Sequence, residues 1–221
     1  MNKLLALFII SFPLFSIGQN HAFYEIDSIA TVHLKKDKIV GLSIGIVKDN
    51  EIFYTKGYGT KTIGENLSVD SSTNFLTCSI SKLFTATAIL QLIEQGKLKL
   101  DDKLIDIVPE FKMKDERFKD ITVYHLLTHT AGVNNYFRDN FISPKNDSLA
   151  LTEFALKLKN KKLKFAPGVD LSHKTYSNSG YNLLGLIIER VSGTTFSNYM
   201  DENLLHPLGM DKSSFFIDSI P

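Results

Sequence analysis

The hydrophobic period of this chain changes at Ser79, and that change limits the folds open to it. Before it lie two short segments rich in β-branched and aromatic residues, Gly41-Leu42-Ser43-Ile44-Gly45-Ile46-Val47 and Ile52-Phe53-Tyr54-Thr55-Lys56-Gly57-Tyr58-Gly59. Lys48-Asp49-Asn50-Glu51 between them has the composition of a hairpin turn. Gly41, Gly45, Gly57 and Gly59 cost strand stability and allow bulges or close packing. From Ser79 the period becomes helical. Leu83, Phe84, Thr87, Ala88, Leu90, Leu92 and Ile93 give a broad apolar face, and Gly96 stops the helix. Helices are predicted over His21 to Lys36, Thr122 to Leu127, Leu149 to Leu158, Gly180 to Val191 and Phe196 to Leu205, with a short, partly helical crossing over Asp101 to Phe111. Residues 133–147 read as a polar loop. A hairpin followed by a run of helices predicts a mixed sheet with a helical lobe, and excludes alternating βαβ units.

The first residues have a separate role. Lys3 precedes an apolar run from Leu4 to Phe15, with Ser16 and Gly18 at small-residue positions before a cut between Gly18 and Gln19. That is the pattern of a secretory signal, and the run is too short to span a bilayer comfortably. Domain boundaries follow: 1–18 a signal peptide, 19–221 one domain. The product is expected to be exported, periplasmic or extracellular, with no integral membrane segment after cleavage. Removing Lys3 from the 25 basic residues leaves 24 against 24 acidic ones, and a neutral chain points away from nucleic acid and anionic membranes. The single Cys78 cannot form an internal disulfide. Its place beside Ser79 predicts burial behind that residue.

Ser79-Ile80-Ser81-Lys82 puts a hydroxyl and an amine one helical turn apart. A serine hydroxyl needs a neighbouring base and a place for a developing oxyanion before it is a useful nucleophile. A lysine serves as that base only in its neutral form, which burial or a nearby cation favours. The start of a helix adds outward N–H groups and a dipole that favours negative charge. Ser-x-x-Lys alone is a weak signal, because such pairs are common on solvated helices. Here Lys82 interrupts an otherwise uncharged run from Phe75 to Leu92. Tyr176-Ser177-Asn178 precedes the helix predicted from Gly180, and in an extended segment Tyr176 and Asn178 point the same way. A phenol near a cationic lysine can carry a proton, and a side-chain amide can hold a carbonyl. The plainer reading is an Asn cap and a packing Tyr. His125 and His129 stand four apart, but no Glu or third ligand accompanies them, so no metal site is expected.

Five segments in order carry a resemblance. They are Phe75-Leu76-Thr77-Cys78-Ser79-Ile80-Ser81-Lys82-Leu83-Phe84-Thr85-Ala86, Leu126-Leu127-Thr128-His129-Thr130-Ala131-Gly132-Val133, Phe165-Ala166-Pro167-Gly168, Tyr176-Ser177-Asn178-Ser179-Gly180-Tyr181-Asn182-Leu183-Leu184-Gly185 and Pro207-Leu208-Gly209-Met210. Together they resemble the beta-lactamase-related serine hydrolases, the group of class C beta-lactamases, penicillin-binding D,D-peptidases, D-aminopeptidases and esterases. The resemblance implies an α/β fold of the α+β type, an antiparallel sheet flanked by helices with a helical lobe. It implies Ser79 as acylated nucleophile, Lys82 as its activator, Tyr176 as general base or acid, and Asn178 as a substrate-orienting amide. It implies hydrolysis of amide, ester or lactam bonds in a small-molecule or cell-wall peptide substrate, without cofactor or metal. His129 then reads as a structural loop residue.

One family element is missing. No Lys-Thr-Gly or His-x-Gly occurs: Lys61-Thr62-Ile63, Lys174-Thr175-Tyr176 and His206-Pro207-Leu208 all fail at the glycine. The resemblance thus covers nearly all of the mature chain but the first half to two-thirds of a family catalytic domain. A domain lacking its C-terminal strands is expected to be aggregation-prone and weakly active, with the hairpin edge unpaired. Two alternatives to a working hydrolase follow: a non-catalytic remnant that binds cell-wall fragments, or an enzyme completed by a second polypeptide.

Overall fold

Asp49 and Asn50 both take left-handed backbone angles, φ 54° and 62°. Two such residues in a row make the mirror-image turn whose twist matches that of paired strands. They join β1 (Gly41–Lys48) to β2 (Glu51–Gly59), antiparallel, with Gly41 opposite Gly59 and Lys48 opposite Glu51. In this computed structural model the described residues are 15–136, 149–169 and 175–216. They fall into two compact units, one ending at Phe75 and one beginning at Leu76. Most of the proposed signal, residues 1–14, lies outside the described residues, as do 137–147 of the predicted loop. Among the described residues the sheet has two strands, and no helix is long and apolar enough to cross a membrane.

In the first unit α1 (Phe15–Lys36) packs on the hairpin. The Phe23 ring stands 5.2 Å from Phe53 and 5.1 Å from Tyr54. Beside it Asp27 accepts hydrogen bonds from Tyr54 (2.6 Å), Tyr58 (2.6 Å) and Lys56 (2.8 Å). The three donors are two residues apart along β2, so they share one face. Lys56, then the two phenols, hold the Asp27 carboxyl well below the usual carboxylate range. Burial and Asp27 push the Tyr58 phenol up. At Gly57 a Cβ would lie 2.3 Å from the carbonyl oxygen of Val69, so only glycine lets the following loop fold back over β2.

In the second unit a single 3₁₀ turn, Cys78–Ile80, leads into α2 (Ser81–Glu94). Gly96, at φ 70°, ends it, with Lys97 N–H donating to Leu92 O. The short α3 (Leu104–Ile107) and α4 (Val123–Leu127) follow, then α5 (Ala150–Lys157), α6 (Asn178–Ser192) and α7 (Phe196–Met200), which runs into one wider turn over Asp201–Leu205. Helix α6 is the centre. Its Leu183, Leu184, Leu186, Ile187 and Ile188 are wholly buried, and α2, α3, α4, α5 and α7 all pack on it. Helix α2 turns Thr85, Ala88, Ile89 and Leu92 inward. This corrects the expected buried face. Leu83 is 68% and Leu90 54% exposed, because α2 is apolar on both sides and the lobe covers only one.

Two outcomes are expected. Leu184→Ala removes a wholly buried side chain from α6 and should cost about 2–5 kcal/mol in chemical denaturation. Asp27 has a depressed folded value, so its contribution is present at neutral pH and is lost as pH falls through the carboxylate range. Melts recorded from neutral to acid pH should therefore show a shallower loss of Tm in Asp27→Asn than in the natural chain.

Candidate active site

Ser79 occupies the 3₁₀ turn immediately before α2, and its hydroxyl is exposed. Lys82 lies one turn on, and its Nζ donates to Ser79 Oγ at 3.2 Å. The Tyr176 phenol shares a hydrogen bond of 2.6 Å with the same Oγ. Three of the four residues singled out in the sequence therefore meet at one atom, across a separation of 97 residues. Cys78 does not retreat behind them. It is exposed, because it sits at the head of the turn in a left-handed conformation, φ 49°, and not on the inner face of α2.

The Tyr176 side is built on the start of α6. Ser177 is extended, φ −136° and ψ 113°, and its hydroxyl accepts the Gly180 N–H at 3.0 Å. That is an N-cap. The cap expected of Asn178 is thus supplied one residue earlier, and Asn178 becomes the first residue of the helix. Its side-chain amide is half-buried and makes no hydrogen bond to another described residue. The three residues are also held from outside. Ser177 N–H donates to His129 Nδ1 (3.1 Å), Asn178 N–H to Asn135 Oδ1 (2.6 Å), and Asn135 Nδ2 to the Tyr176 carbonyl (3.1 Å). Asn135 carries no signal in the sequence. It lies in an aperiodic polar stretch and acts on residues more than forty positions away.

Lys82 dominates the electrostatics. Its ammonium stands 4.9 Å from the centre of the Tyr176 ring and 5.6 Å from that of Tyr181. Among the described residues no carboxylate pairs with it. Burial pushes the Tyr176 phenol up, but hydrogen bonding to Lys82 and Ser79 and the Lys82 charge outweigh burial, so the net direction is below the ordinary tyrosine value. Tyr181 goes the other way, raised by burial and by the neighbouring Tyr176. His129 is lowered by burial and by Lys82, against its bond from Ser177. His125 serves the backbone instead. Its Nδ1 accepts the Thr122 N–H while Thr122 Oγ1 accepts its own, a reciprocal cap on α4.

The family model described as Beta-lactamase matches residues 26–220. The chain belongs to the beta-lactamase family. Among its relatives is Protein flp of Staphylococcus aureus, 33% identical over 198 residues, which are 89% of this chain and 39% of that protein. The chain thus spans about two-fifths of the length of that curated relative. Solved structures agree in fold. The octameric penicillin-binding protein homologue from Pyrococcus abyssi is 33% identical with a TM-score of 0.75, over 89% of this chain and 45% of that one. A class C beta lactamase is 28% identical with a TM-score of 0.77, over 93% of this chain and 53% of that one. The fold expected from the sequence, an antiparallel sheet flanked by helices with a helical lobe, is the fold of this family.

The electrostatics yield an expected titration. Followed by tyrosinate absorbance, one tyrosine should ionise below the ordinary range and disappear in Tyr176→Phe. In Lys82→Met that transition should move up, since the amine that favours the phenolate is gone, while Tyr181→Phe should leave it in place.

Proposed function

We propose that the protein is an exported serine hydrolase that works through an acyl-serine intermediate on amide, ester or lactam bonds of a small molecule or a cell-wall peptide. The observation that carries the reading is the contact of Ser79 Oγ with both Lys82 Nζ and Tyr176 Oη, at 3.2 and 2.6 Å. In the first half-reaction the Ser79 hydroxyl proton passes to the Tyr176 oxygen as Oγ forms a bond to the substrate carbonyl carbon. Lys82 stabilises the phenolate beforehand and the negative charge during transfer. The tetrahedral oxyanion lies at the start of α2, where N–H groups and the helix dipole favour negative charge. Collapse expels the amine or alcohol, which takes the proton from Tyr176, and leaves acyl-Ser79. Water then gives a proton to the regenerated Tyr176 phenolate as it attacks the acyl carbon, and that proton returns to Ser79 Oγ as the acid leaves. Asn178, at the head of α6 with its amide unpaired among the described residues, orients the substrate carbonyl.

Kinship supports the class of chemistry, since the solved relatives include a class C beta lactamase and a penicillin-binding protein homologue. The Lys3-led apolar run supports export. A second reading is a module that binds wall fragments without turnover.

Intact-mass measurement after exposure to an activated ester and to a penicillin separates these readings. The hydrolase should gain one acyl group, map it to Ser79 and release it with time. Ser79→Ala should gain none. Tyr176→Phe should acylate about 10²- to 10⁴-fold more slowly, the usual worth of a proton-transfer group. A wild-type chain that stays unmodified by every acyl donor would sink the proposal, and an adduct formed without turnover would favour the binding module.

A further inference from the structure

The backbone of Tyr176-Ser177-Asn178 is read by two side chains of one loop. Asn135 uses both ends of its carboxamide, giving Nδ2–H to the Tyr176 carbonyl and taking the Asn178 N–H on Oδ1. His129 takes the N–H between them on Nδ1, and its ring lies 4.6 Å from the Tyr176 ring. An imidazole that accepts on Nδ1 carries its proton on Nε2 and is neutral. The loop that presents these two groups is itself held. Thr130 N–H donates to His125 O, Gly168 N–H to Thr130 O, and Lys164 N–H to Gly132 O. At Gly132, φ 74°, a Cβ would lie 2.1 Å from the Phe165 carbonyl oxygen, so the stretch of chain behind the loop fits only against glycine. His129 also holds φ 62°, an unfavoured conformation for a side chain of its size.

We propose that the His129 imidazole and the Asn135 carboxamide form a two-point template that fixes the Tyr176 phenol over Ser79. They are positioning residues: their hydrogen bonds go to the backbone of 176–178, not to the Ser79 hydroxyl, the Lys82 amine or the phenol oxygen. The template acts on the part of the site with least rigidity of its own: Tyr176 lies outside α6, before its cap, and its side chain is exposed. Without the template the phenol would sample positions away from Lys82 and Ser79. A displacement of about an ångström can cost on the order of 10²-fold in rate. The catalytic part of this inference rests on the reading that Tyr176 exchanges a proton with Ser79.

The test compares Asn135→Asp, Asn135→Ala, His129→Asn and His129→Ala in the full chain. Asn135→Asp is nearly isosteric and keeps an acceptor for Asn178, but sets a carboxylate oxygen against the Tyr176 carbonyl. His129→Asn tolerates a left-handed backbone and can still accept from Ser177. Two readouts are taken: the acylation rate of Ser79 with an activated ester, and the midpoint of the Tyr176 ionisation. The template predicts that Asn135→Asp and His129→Ala acylate about 10- to 100-fold more slowly at unchanged KM, with the Tyr176 midpoint moved up toward the ordinary value. His129→Asn should recover most of both. The midpoint needs no turnover. An inert wild type would therefore defeat the hydrolase reading and still leave the template tested. Folded Asn135→Asp and His129→Ala proteins with the wild-type midpoint and rate would overturn the template. So would a loss confined to Tm. Should either alanine variant fail to fold, Asn135→Asp and His129→Asn decide the matter by the same midpoint.

Discussion

The packing of α6 against α2 is the interaction on which the site depends. Apolar burial is not directional, yet here it settles a polar geometry. Leu183, Leu184, Ile187 and Ile188 on α6 and Ala88, Ile89 and Leu92 on α2 are fully buried in one core. Once those faces are engaged, the segments entering the two helices are brought together. Ser79 enters one and Tyr176 the other, and their oxygens end 2.6 Å apart. The core sets this meeting to within a side chain's length. The remaining precision comes from hydrogen bonds at the helix start, above all the Ser177 cap and the two contacts of Asn135.

A single cation then biases the protonation of the assembled groups. Lys82 stands over two aromatic faces and beside one hydroxyl, with no carboxylate paired to it among the described residues. A carboxylate partner would absorb its field locally. Burial favours the neutral form of His129, and the open field adds to that while it also favours the phenolate of Tyr176. These are the forms in which Tyr176 can accept a proton and His129 can accept the Ser177 N–H. One charge thus serves the reacting group and the group that places it, and the two requirements do not compete.

Much of this is legible in the sequence, for reasons that differ by feature. The hairpin shows because Asp49-Asn50 is a turn between two β-rich runs, and α6 because its apolar residues recur at helical spacing and stop at Gly193. Ser79 and Lys82 show because three residues in a helix is a local distance. The inward face of α2 does not show, because Leu83 and Leu90 are as apolar as Ile89 and Leu92, and only the lobe's position separates them. The cap of α6 falls one residue before the expected one because Ser and Asn are equally good caps and stand side by side. Residue type alone puts Cys78 inside, and its φ of 49° turns it out. Asn135 and the Asp27 anchor are invisible for a common reason. Each acts across some thirty to forty residues through polar atoms, and no periodicity marks such a contact.

Backbone strain follows the same division. Among the described residues of the second unit, the non-glycine residues with positive φ are Cys78 and His129. Each such conformation costs on the order of 1–3 kcal/mol and persists only where its surroundings over-determine it. The left-handed residues of the first unit have local reasons: Asp49 and Asn50 make the hairpin turn, and Lys38 lies just past the end of α1. Cys78 and His129 make no such turn between strands. One precedes Ser79 and the other stacks on Tyr176, so strain in the lobe sits on both halves of the one hydrogen bond that joins them. The buried inner face of the central helix, Leu183 to Ile188, is the packing against which the two strained residues are held. Placed elsewhere they would only weaken the lobe; placed here, they aim a hydroxyl and a phenol at each other.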